Sequence, residues 1–286
     1  MSEPLNKTNL AALRWLVDAG ADEAVSETAK DRFAPPEPAA PAPATPPLEG
    51  IARASRDQSP KPSSLGKSAE IVENAKAVSL STAPGAAREL ARSCKSLEEL
   101  KSALENFEGC ELKRQATNTV FADGTPQSSI MFIGEAPGRD EDREGRPFVG
   151  RAGKLLDKML EALTLDRSKV YTTNILPWRP PQNRDPSPEE AATCLPFLHR
   201  HIELVQPKVL VLLGAVSVRH LLGTTEGIMR TRGRWLVYQT ENQAVAAMPT
   251  LHPAYLLRQP SAKRLVWRDL LSVAEKIDEL NSGSNS

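Results

Sequence analysis

The chain has 286 residues, with 36 basic and 36 acidic side chains and therefore no formal net charge. This length accommodates one or two domains, and no stretch reaches the roughly 18 consecutive apolar residues that cross a membrane. Three cysteines at long spacings, Cys94, Cys110 and Cys194, argue against a disulfide framework and indicate a reducing, cytoplasmic compartment.

The first third of the sequence predicts a tethered helix followed by a linker. Residues 1–33 contain an amphipathic helix, and they lack the basic segment and apolar run of a signal peptide. Residues 34–85 are rich in Pro, Ala and Ser, a composition that favours extended or disordered chain. The helix is either a docking element for a protein partner or a weakly ordered remnant.

From residue 86 to residue 280 the pattern is typical of a globular domain, and residues 281–286 form a predicted flexible tail. Apolar spacing predicts two helices between residues 86 and 107. Four apolar runs at 129–134, 170–176, 208–214 and 244–251 then alternate with helical segments at 152–163, 188–204, 215–222 and 262–280. This alternation predicts an α/β domain with a parallel sheet covered on both faces, in which ligands bind beyond the carboxyl ends of the strands.

The loop after the first predicted strand has the features of a ligand-binding segment. Gly134 and Gly138 flank a proline, so the backbone can turn sharply and approach a ligand closely. A helix begins near Gly150, and its free amides favour an anion or a carbonyl oxygen. The segment is neither a P-loop nor a dinucleotide-binding GxGxxG motif. The alternative is a simple tight turn, with Phe148 either in the core or stacked on a base.

Polar residues also stand at the ends of the second and fourth predicted strands. The carboxamide of Asn174 can read a base edge or cap the next turn. His252 immediately precedes a proline, where it is either structural or catalytic. Around it lies a basic stripe that would contact phosphates or form a solvated face. Its cations are Arg230, Arg232, Arg234, Arg258, Lys263, Arg264 and Arg268, and its single acid is Glu241.

Together these segments resemble the family-four uracil-DNA glycosylases of bacteria and archaea. The resemblance runs from residue 110 to about residue 269 and rests on motifs in one order: GEAPGRDEDREGRPFVGRAGKLL (134–156), NILPWRPPQNRDPSPEE (174–190), KVLVLLG (208–214), GIMRTRGRW (227–235) and MPTLHPAYLLRQP (248–260). It implies a three-layer α/β/α sandwich around a four-stranded parallel sheet. It also implies an enzyme that flips uracil out of single- or double-stranded DNA and hydrolyses the N-glycosidic bond, starting base-excision repair. We expect a monomer associated with the bacterial nucleoid.

The resemblance implies a role for each matching residue in the uracil pocket. Glu135 would either orient the attacking water or shape the pocket, together with the backbone at Ala136. Phe148 would stack on the base, and Asn174 would bond to its polar edge and reject cytosine. His252 would lie near uracil O2 and stabilise the departing anion. Glu135, Asn174 and His252 are therefore the predicted catalytic residues.

The loop at residues 254–259 would enter the duplex and fill the gap that the flipped nucleotide leaves. The predicted DNA contacts are Tyr255, Leu256, Arg258 and Arg232. Either Leu256 or Arg258 is the predicted wedge.

The sequence departs from the family at the iron–sulfur cluster. The resemblance implies a [4Fe–4S] cluster held by four cysteines, of which Cys110 and Cys194 are present here, while Phe107 and Trp178 occupy the other two positions. Two thiolates cannot complete such a site, so we predict no cofactor, with both aromatic residues filling its space. The alternative is a cluster completed by Cys94 and a non-cysteine ligand.

Other functions remain compatible with the sequence. A related group bonds covalently to the abasic sugar through a KRRIH insertion, which this chain lacks, so we expect monofunctional, hydrolytic turnover. The main alternative is a non-catalytic DNA-binding or scaffold protein with this fold, against which the four pocket side chains argue. Two further alternatives are a glycosylase acting on hypoxanthine or thymine mispairs and a subunit of a polymerase complex that docks through the N-terminal helix.

Overall fold

The structure, a computed structural model, describes residues 73–241 and 243–282. The predicted N-terminal helix, most of the predicted linker and residues 283–286 lie outside these ranges. Within them, no helix is long and apolar enough to cross a membrane.

A six-stranded sheet in the order β1-β3-β2-β4-β6-β5 forms the centre of the domain. Its strands are β1 (Asp123–Gly124), β2 (Ile130–Gly134), β3 (Tyr171–Asn174), β4 (Val209–Leu213), β5 (Leu236–Gln239) and β6 (Ala244–Thr250). The four middle strands run parallel, as predicted, and confirm the α/β class. The two edge strands are antiparallel and were not predicted, because they are short and lack a continuous apolar run.

The helices correspond to the predicted ones at 152–163, 188–204, 215–222 and 262–280, with small differences at their ends. In chain order the helices are α1 (Glu73–Ser93), α2 (Leu97–Asn106), α3 (Glu111–Gln115), α4 (Arg139–Glu144), α5 (Arg151–Glu161), α6 (Pro188–Val205), α7 (Ala215–Leu222), α8 (Ile228–Thr231), α9 (Pro253–Arg258) and α10 (Lys263–Ser282). Helix α1 begins inside the segment predicted as linker, so residues 73–85 are helical. Helices α3, α4, α8 and α9 have six residues or fewer, too few to show a helical period.

Alternate strand residues divide the core into two layers, as the pleat of a strand requires. Ile133 and Leu212 face a cluster that includes buried residues of α1, α2, α6 and α7. Phe132 and Val211 face the opposite cluster, which includes α5, α9 and α10. The domain is therefore a three-layer sandwich, and the carboxyl ends of its parallel strands lie at one edge.

Candidate active site

A cavity of about 420 Å³ opens at the carboxyl ends of the parallel strands. Among its lining are most of the predicted site residues, which are Glu135, Ala136, Phe148, Asn174, His252, Tyr255 and Arg258. The loop after β3 contributes Asn183, Arg184 and Asp185, which the sequence analysis did not single out. Three separate segments, which follow β2, β3 and β6, thus converge where an α/β sheet binds its ligands.

The floor of the cavity depends on a glycine that allows very close packing. Gly134 of β2 is the parallel neighbour of Asn174 on β3. A Cβ atom on Gly134 would lie 2.4 Å from Asn174 Oδ1 and 2.7 Å from Phe148 Cζ. Any larger residue would displace the amide or the ring, so the glycine fixes the relative position of these two groups.

Phe148 is held in a backbone conformation that is rare for a bulky residue. Its φ is +56°, in the left-handed region, and its carbonyl oxygen accepts a hydrogen bond of 2.7 Å from Arg167 Nη2. The Phe148 ring lies against the imidazole of His252, with 6.0 Å between ring centroids and 29° between planes. Such strain is typical of functional sites, where the surrounding contacts impose it.

The carboxamide of Asn174 is buried without a protein partner. Asn174 is 6 % exposed, and its side chain makes no hydrogen bond to any residue in the part of the chain that the structure describes. A buried, unsatisfied amide costs about 1–3 kcal/mol, and native structures contain few of them. The amide is therefore available to a ligand with both a donor and an acceptor on its edge.

His252 is the N-cap of α9, and this contact fixes its tautomer. Its Nδ1 accepts a hydrogen bond of 3.1 Å from the backbone N–H of Ala254, which leaves the proton of the neutral ring on Nε2. Burial and, secondarily, the positive charge of Arg258 lower the pKa of His252 to about 4. At neutral pH the cavity is therefore lined by a neutral imidazole whose Nε2–H can donate.

Glu135 is a half-buried acid that lines the cavity. Burial raises the pKa of its carboxyl, the negative charge of Asp185 raises it further, and Arg219 opposes the shift. A raised pKa makes the carboxylate a better proton acceptor than an exposed glutamate, as a general base requires.

Glu141 closes the loop that carries Phe148, a role that the sequence analysis missed. Its Oε2 accepts from the backbone N–H of Gly138 at 3.1 Å, and its Oε1 accepts from that of Gly150 at 2.8 Å. One carboxylate therefore ties together both ends of the loop. An acid at the third position of a helix is the sequence signal that could have suggested the first of these bonds.

The segment predicted to enter the duplex is helix α9 instead of a loop, and one of its predicted DNA contacts does not reach the surface. The helical turn directs Leu256 into the core, where it is fully buried, so the prediction of a Leu256 wedge was wrong. Tyr255, Leu257 and Arg258 point outward and are exposed. Leu257, which is 37 % exposed, therefore takes the place of Leu256 as the apolar wedge candidate.

Arg232 also differs from its predicted role as a DNA contact. Its Nε donates to Asp269 Oδ2 at 3.0 Å, and its Nη2 donates to the Leu265 carbonyl at 2.7 Å. The Arg232 side chain is 14 % exposed, and that of Asp269 is 2 % exposed. Because the guanidinium is occupied by this buried ion pair, Arg232 holds α10 against the sheet.

The residues at the four cluster-ligand positions are packed in one hydrophobic core. Phe107, Cys110, Trp178 and Cys194 are all buried, with 7 % exposure or less. Trp178 Nε1 donates to a threonine hydroxyl at 3.0 Å, and the Phe107 ring packs edge-on against a phenylalanine of α6 at 5.2 Å.

Cys110 and Cys194 are free thiols. Within the described ranges, no group of three or more His, Cys, Asp or Glu residues is placed to hold a metal ion. Cys94, the alternative third ligand, instead bonds to the Leu90 carbonyl at 3.2 Å. The residues present therefore do not fit a four-cysteine cluster.

Comparison with known proteins gives consistent matches over the domain that carries this cavity. Residues 121–271 match the family described as the uracil DNA glycosylase superfamily. The chain is 40% identical over 185 residues to the type-4 uracil-DNA glycosylase of Sulfurisphaera tokodaii, covering 63% of this chain and 84% of that protein. It is 38% identical to the type-4 uracil-DNA glycosylase of Archaeoglobus fulgidus, over 63% of this chain and 92% of that protein. It is also 38% identical to the type-4 enzyme of Thermotoga maritima, over 61% of this chain and 91% of that protein.

Proposed function

The chain belongs to the uracil DNA glycosylase superfamily, and from that premise we propose that it excises uracil from DNA with the cavity at the carboxyl ends of its parallel strands. It is a uracil-DNA glycosylase of the type-4 kind, an enzyme of base-excision repair. We also propose the roles of the site residues, hydrolytic turnover and the absence of a cofactor.

The buried amide of Asn174 is the observation that carries the substrate assignment. Uracil presents a carbonyl acceptor at O4 beside the N3–H donor, and one carboxamide matches both groups. Cytosine presents an amino group and an unprotonated ring nitrogen at these positions, so it would leave the Asn174 amide unsatisfied. A site built to bond a specific polar edge rejects an analogue that lacks it by large factors.

His252 stabilises the charge that develops on the leaving base. Breaking the glycosidic bond leaves negative charge on uracil, much of it at O2. A neutral Nε2–H donor aimed at that oxygen acts as one member of an oxyanion hole, and it needs no reorganisation during the reaction. The stacked ring of Phe148 excludes water from the face of the base and holds it against the donor.

Glu135 orients the water that attacks the sugar, which makes turnover hydrolytic. Its half-buried carboxylate lines the same cavity, and burial raises its pKa. Positive charge develops on the deoxyribose in the transition state, so a carboxylate at this place also stabilises it electrostatically. The product would be free uracil and an intact abasic strand, as expected for a monofunctional glycosylase.

The outward face of α9 contacts the DNA around the flipped nucleotide. Tyr255 and Arg258 line the cavity mouth and are exposed, and Leu257 lies between them on the surface. Flipping costs a few kcal/mol, and an inserted side chain offsets part of that cost by filling the gap. We propose Leu257 or Arg258 as the wedge.

We propose further that the enzyme works without an iron–sulfur cluster. The four ligand positions form an apolar core in which Phe107 and Trp178 fill the space. None of the steps above draws on a metal or cofactor, because the donor, the base and the amide all come from the chain.

The test is excision from a labelled oligonucleotide with one uracil, in the presence of a chelator. We expect strand cleavage only after alkali, which reports an abasic product, and near-complete loss of activity in Asn174→Ala with an unchanged melting temperature. Retained DNA binding without cleavage would indicate a non-catalytic binding protein. Cleavage of hypoxanthine or thymine mispairs in preference to uracil would show that the pocket reads a different base.

A further inference from the structure

The segment that follows β3 brings a second carboxamide to the cavity. Asn183 and Asn174 both line it, but Asn174 is buried, whereas Asn183 is exposed and therefore belongs to the mouth. A base that enters the cavity leaves its sugar and phosphate outside. The two amides thus meet different parts of a nucleotide, and Asn183 stands where the sugar–phosphate backbone must lie.

Arg179 fixes the orientation of the Asn183 amide. Its Nε donates to Asn183 Oδ1 at 2.8 Å. A guanidinium can only donate, so the atom that it contacts is the amide oxygen, and the NH₂ group points the other way. This Nδ2 makes no hydrogen bond to any residue that the structure describes. The group left for a ligand is therefore a pair of N–H donors, which the cation bound at Oδ1 strengthens by polarising the amide.

The backbone around Asn183 is held in place before any substrate arrives. Gln182 and Asn183 have φ of +56° and +53°, two successive residues in the sparsely populated left-handed region. On the far side, Arg184 forms a two-pronged pair with Glu190 at 2.6 and 2.8 Å. Glu190 also accepts from the backbone N–H of Ser187 at 2.8 Å, at the start of α6. Because the segment is fixed at both ends, little ordering of the loop opposes binding at Asn183.

The order of the sheet sets Asn183 across the cavity from α9. Strands β3 and β6 lie on either side of β2 and β4, so the ends of β3 and β6 are three strand spacings apart, or about 14 Å. The segment after β3 carries Asn183, and the segment after β6 carries Tyr255 and Arg258. A nucleotide whose base enters the cavity passes between these two walls.

The wall that carries Asn183 has no net charge. The charge of Arg184 is neutralised by Glu190, and Arg179 and Asp185 carry opposite charges. On the other wall, Arg258 supplies a positive charge. The DNA backbone is therefore met by a cation from the α9 side and by a neutral donor from the β3 side.

We infer that Asn183 donates its amide N–H groups to a phosphodiester oxygen of the nucleotide whose base enters the cavity, and that Arg179 positions the amide for this bond. The inference rests on the proposed function, which supplies the flipped nucleotide. Side-chain amides are common donors to phosphate oxygens, and such contacts fix the register of a protein on DNA. Asn183 thus holds the backbone of the nucleotide while Asn174 reads its base.

Asn183→Gly tests the inference, because glycine lacks the amide and adopts the left-handed backbone without strain. Its matched control is Gln182→Gly, which removes the neighbouring carboxamide. Gln182 is also exposed and left-handed, but it does not line the cavity. The measurements are the KM for a single-uracil oligonucleotide, the single-turnover rate at saturating DNA, and the salt dependence of kcat/KM.

For Asn183→Gly we expect KM to rise by about tenfold, as for the loss of one hydrogen bond to a charged group, with the single-turnover rate within about twofold of wild type. The slope of log kcat/KM against log salt should not change, because a neutral amide displaces no counter-ion from the phosphate. Gln182→Gly should match wild type in all three measurements.

Arg179→Met tests the positioning role of the guanidinium. It should raise KM in the wild-type background, because the amide is no longer oriented. In the Asn183→Gly background it should have little further effect, since two residues that act through one bond are not additive. A KM that rises by the same factor in both backgrounds would show that Arg179 binds DNA by itself and would contradict the positioning role.

An oligonucleotide series with one neutral methylphosphonate per molecule identifies the acceptor. One position beside the uracil should weaken the binding of wild type but not that of Asn183→Gly. If no position does so, or if Asn183→Gly matches Gln182→Gly in KM while wild type excises uracil, the inference is overturned and the proposed function stands. If wild type excises no uracil, the proposed function is refuted and the inference falls with it.

Discussion

Replacing His252 with alanine removes two hydrogen bonds with different purposes. Its Nδ1 accepts from the Ala254 N–H and caps helix α9, whereas its Nε2–H is the proposed donor to uracil O2. The first bond contributes to stability, and the second contributes to catalysis alone. The substitution should therefore lower both the melting temperature and the excision rate.

The catalytic loss should be the larger of the two. Removing one donor to a developing oxyanion costs about 3–4 kcal/mol, or roughly 10²- to 10³-fold in the single-turnover rate. Losing a helix N-cap costs about 1 kcal/mol. In a domain of about 200 residues this corresponds to a fall of roughly 2–4 °C in melting temperature. Cap loss cannot by itself explain the expected loss of rate, because the protein would remain folded at 25 °C.

His252→Asn separates the two effects. Asparagine is a favoured N-cap, so this variant should keep the wild-type melting temperature, but its shorter side chain does not reach the position of Nε2. We expect it to be as slow as His252→Ala in single-turnover excision. A His252→Ala rate within tenfold of wild type, or full activity in His252→Asn, would refute the role of the Nε2 donor.

The pH dependence distinguishes a neutral donor from a charged one. Because the pKa of His252 in the fold is about 4, the ring stays neutral from pH 5 to pH 8. The rate should not rise as the pH falls through 6.5, and protonation of Glu135, whose pKa is raised, should lower it toward acid. A rate that increases on acidification through 6.5 would show that an imidazolium is the active form.

Three further predictions test other parts of the structure. Gly134→Ala should reduce excision by about 10²-fold, because its Cβ would displace the Phe148 ring, while Gly85→Ala, which adds a methyl group in open space, should have no effect. The double variant Phe107→Cys/Trp178→Cys restores four cysteines and should acquire the brown absorption of an iron–sulfur cluster on reconstitution with iron and sulfide, whereas wild type treated alike should stay colourless. Burial lowers the pKa of His201 to about 3, so the folded state binds fewer protons than the unfolded chain and the melting temperature should fall as the pH drops below about 6.5.

Each of these has a clear contrary result. Normal excision by Gly134→Ala would mean that the cavity floor tolerates a side chain. A brown wild-type protein with bound iron would contradict the cofactor-free proposal. A melting temperature that stays level from pH 7 to pH 5 would mean that protonation of the buried His201 imidazole does not lower the free energy of unfolding.

The parallel sheet could be predicted because its strands are buried on both faces, as in Val209–Leu213, and leave uninterrupted apolar runs. Asn174 and His252 could be predicted for a related reason, since Asn174 is a polar residue at the end of one predicted strand and His252 directly follows another. The direction of Leu256 could not be predicted, because six residues next to a proline gave no helical period. The role of Arg232 could not be predicted either, because its partner Asp269 lies 37 residues further along the chain.

The apolar core at the cluster positions and the uracil pocket meet in the segment that follows β3. Asn174 is the last residue of β3, and Trp178 lies four residues later, where its indole N–H donates to Thr119. In between, the backbone N–H of Leu176 donates to the Glu135 carbonyl at 3.0 Å, which links the segment to the loop of the proposed base. Truncating a buried aromatic of this size costs about 3–5 kcal/mol, so Trp178 is a strong anchor. Trp178→Ala should therefore lower the rate of uracil excision. It removes the packing that fixes the end of β3, and the Asn174 amide depends on that fixed position.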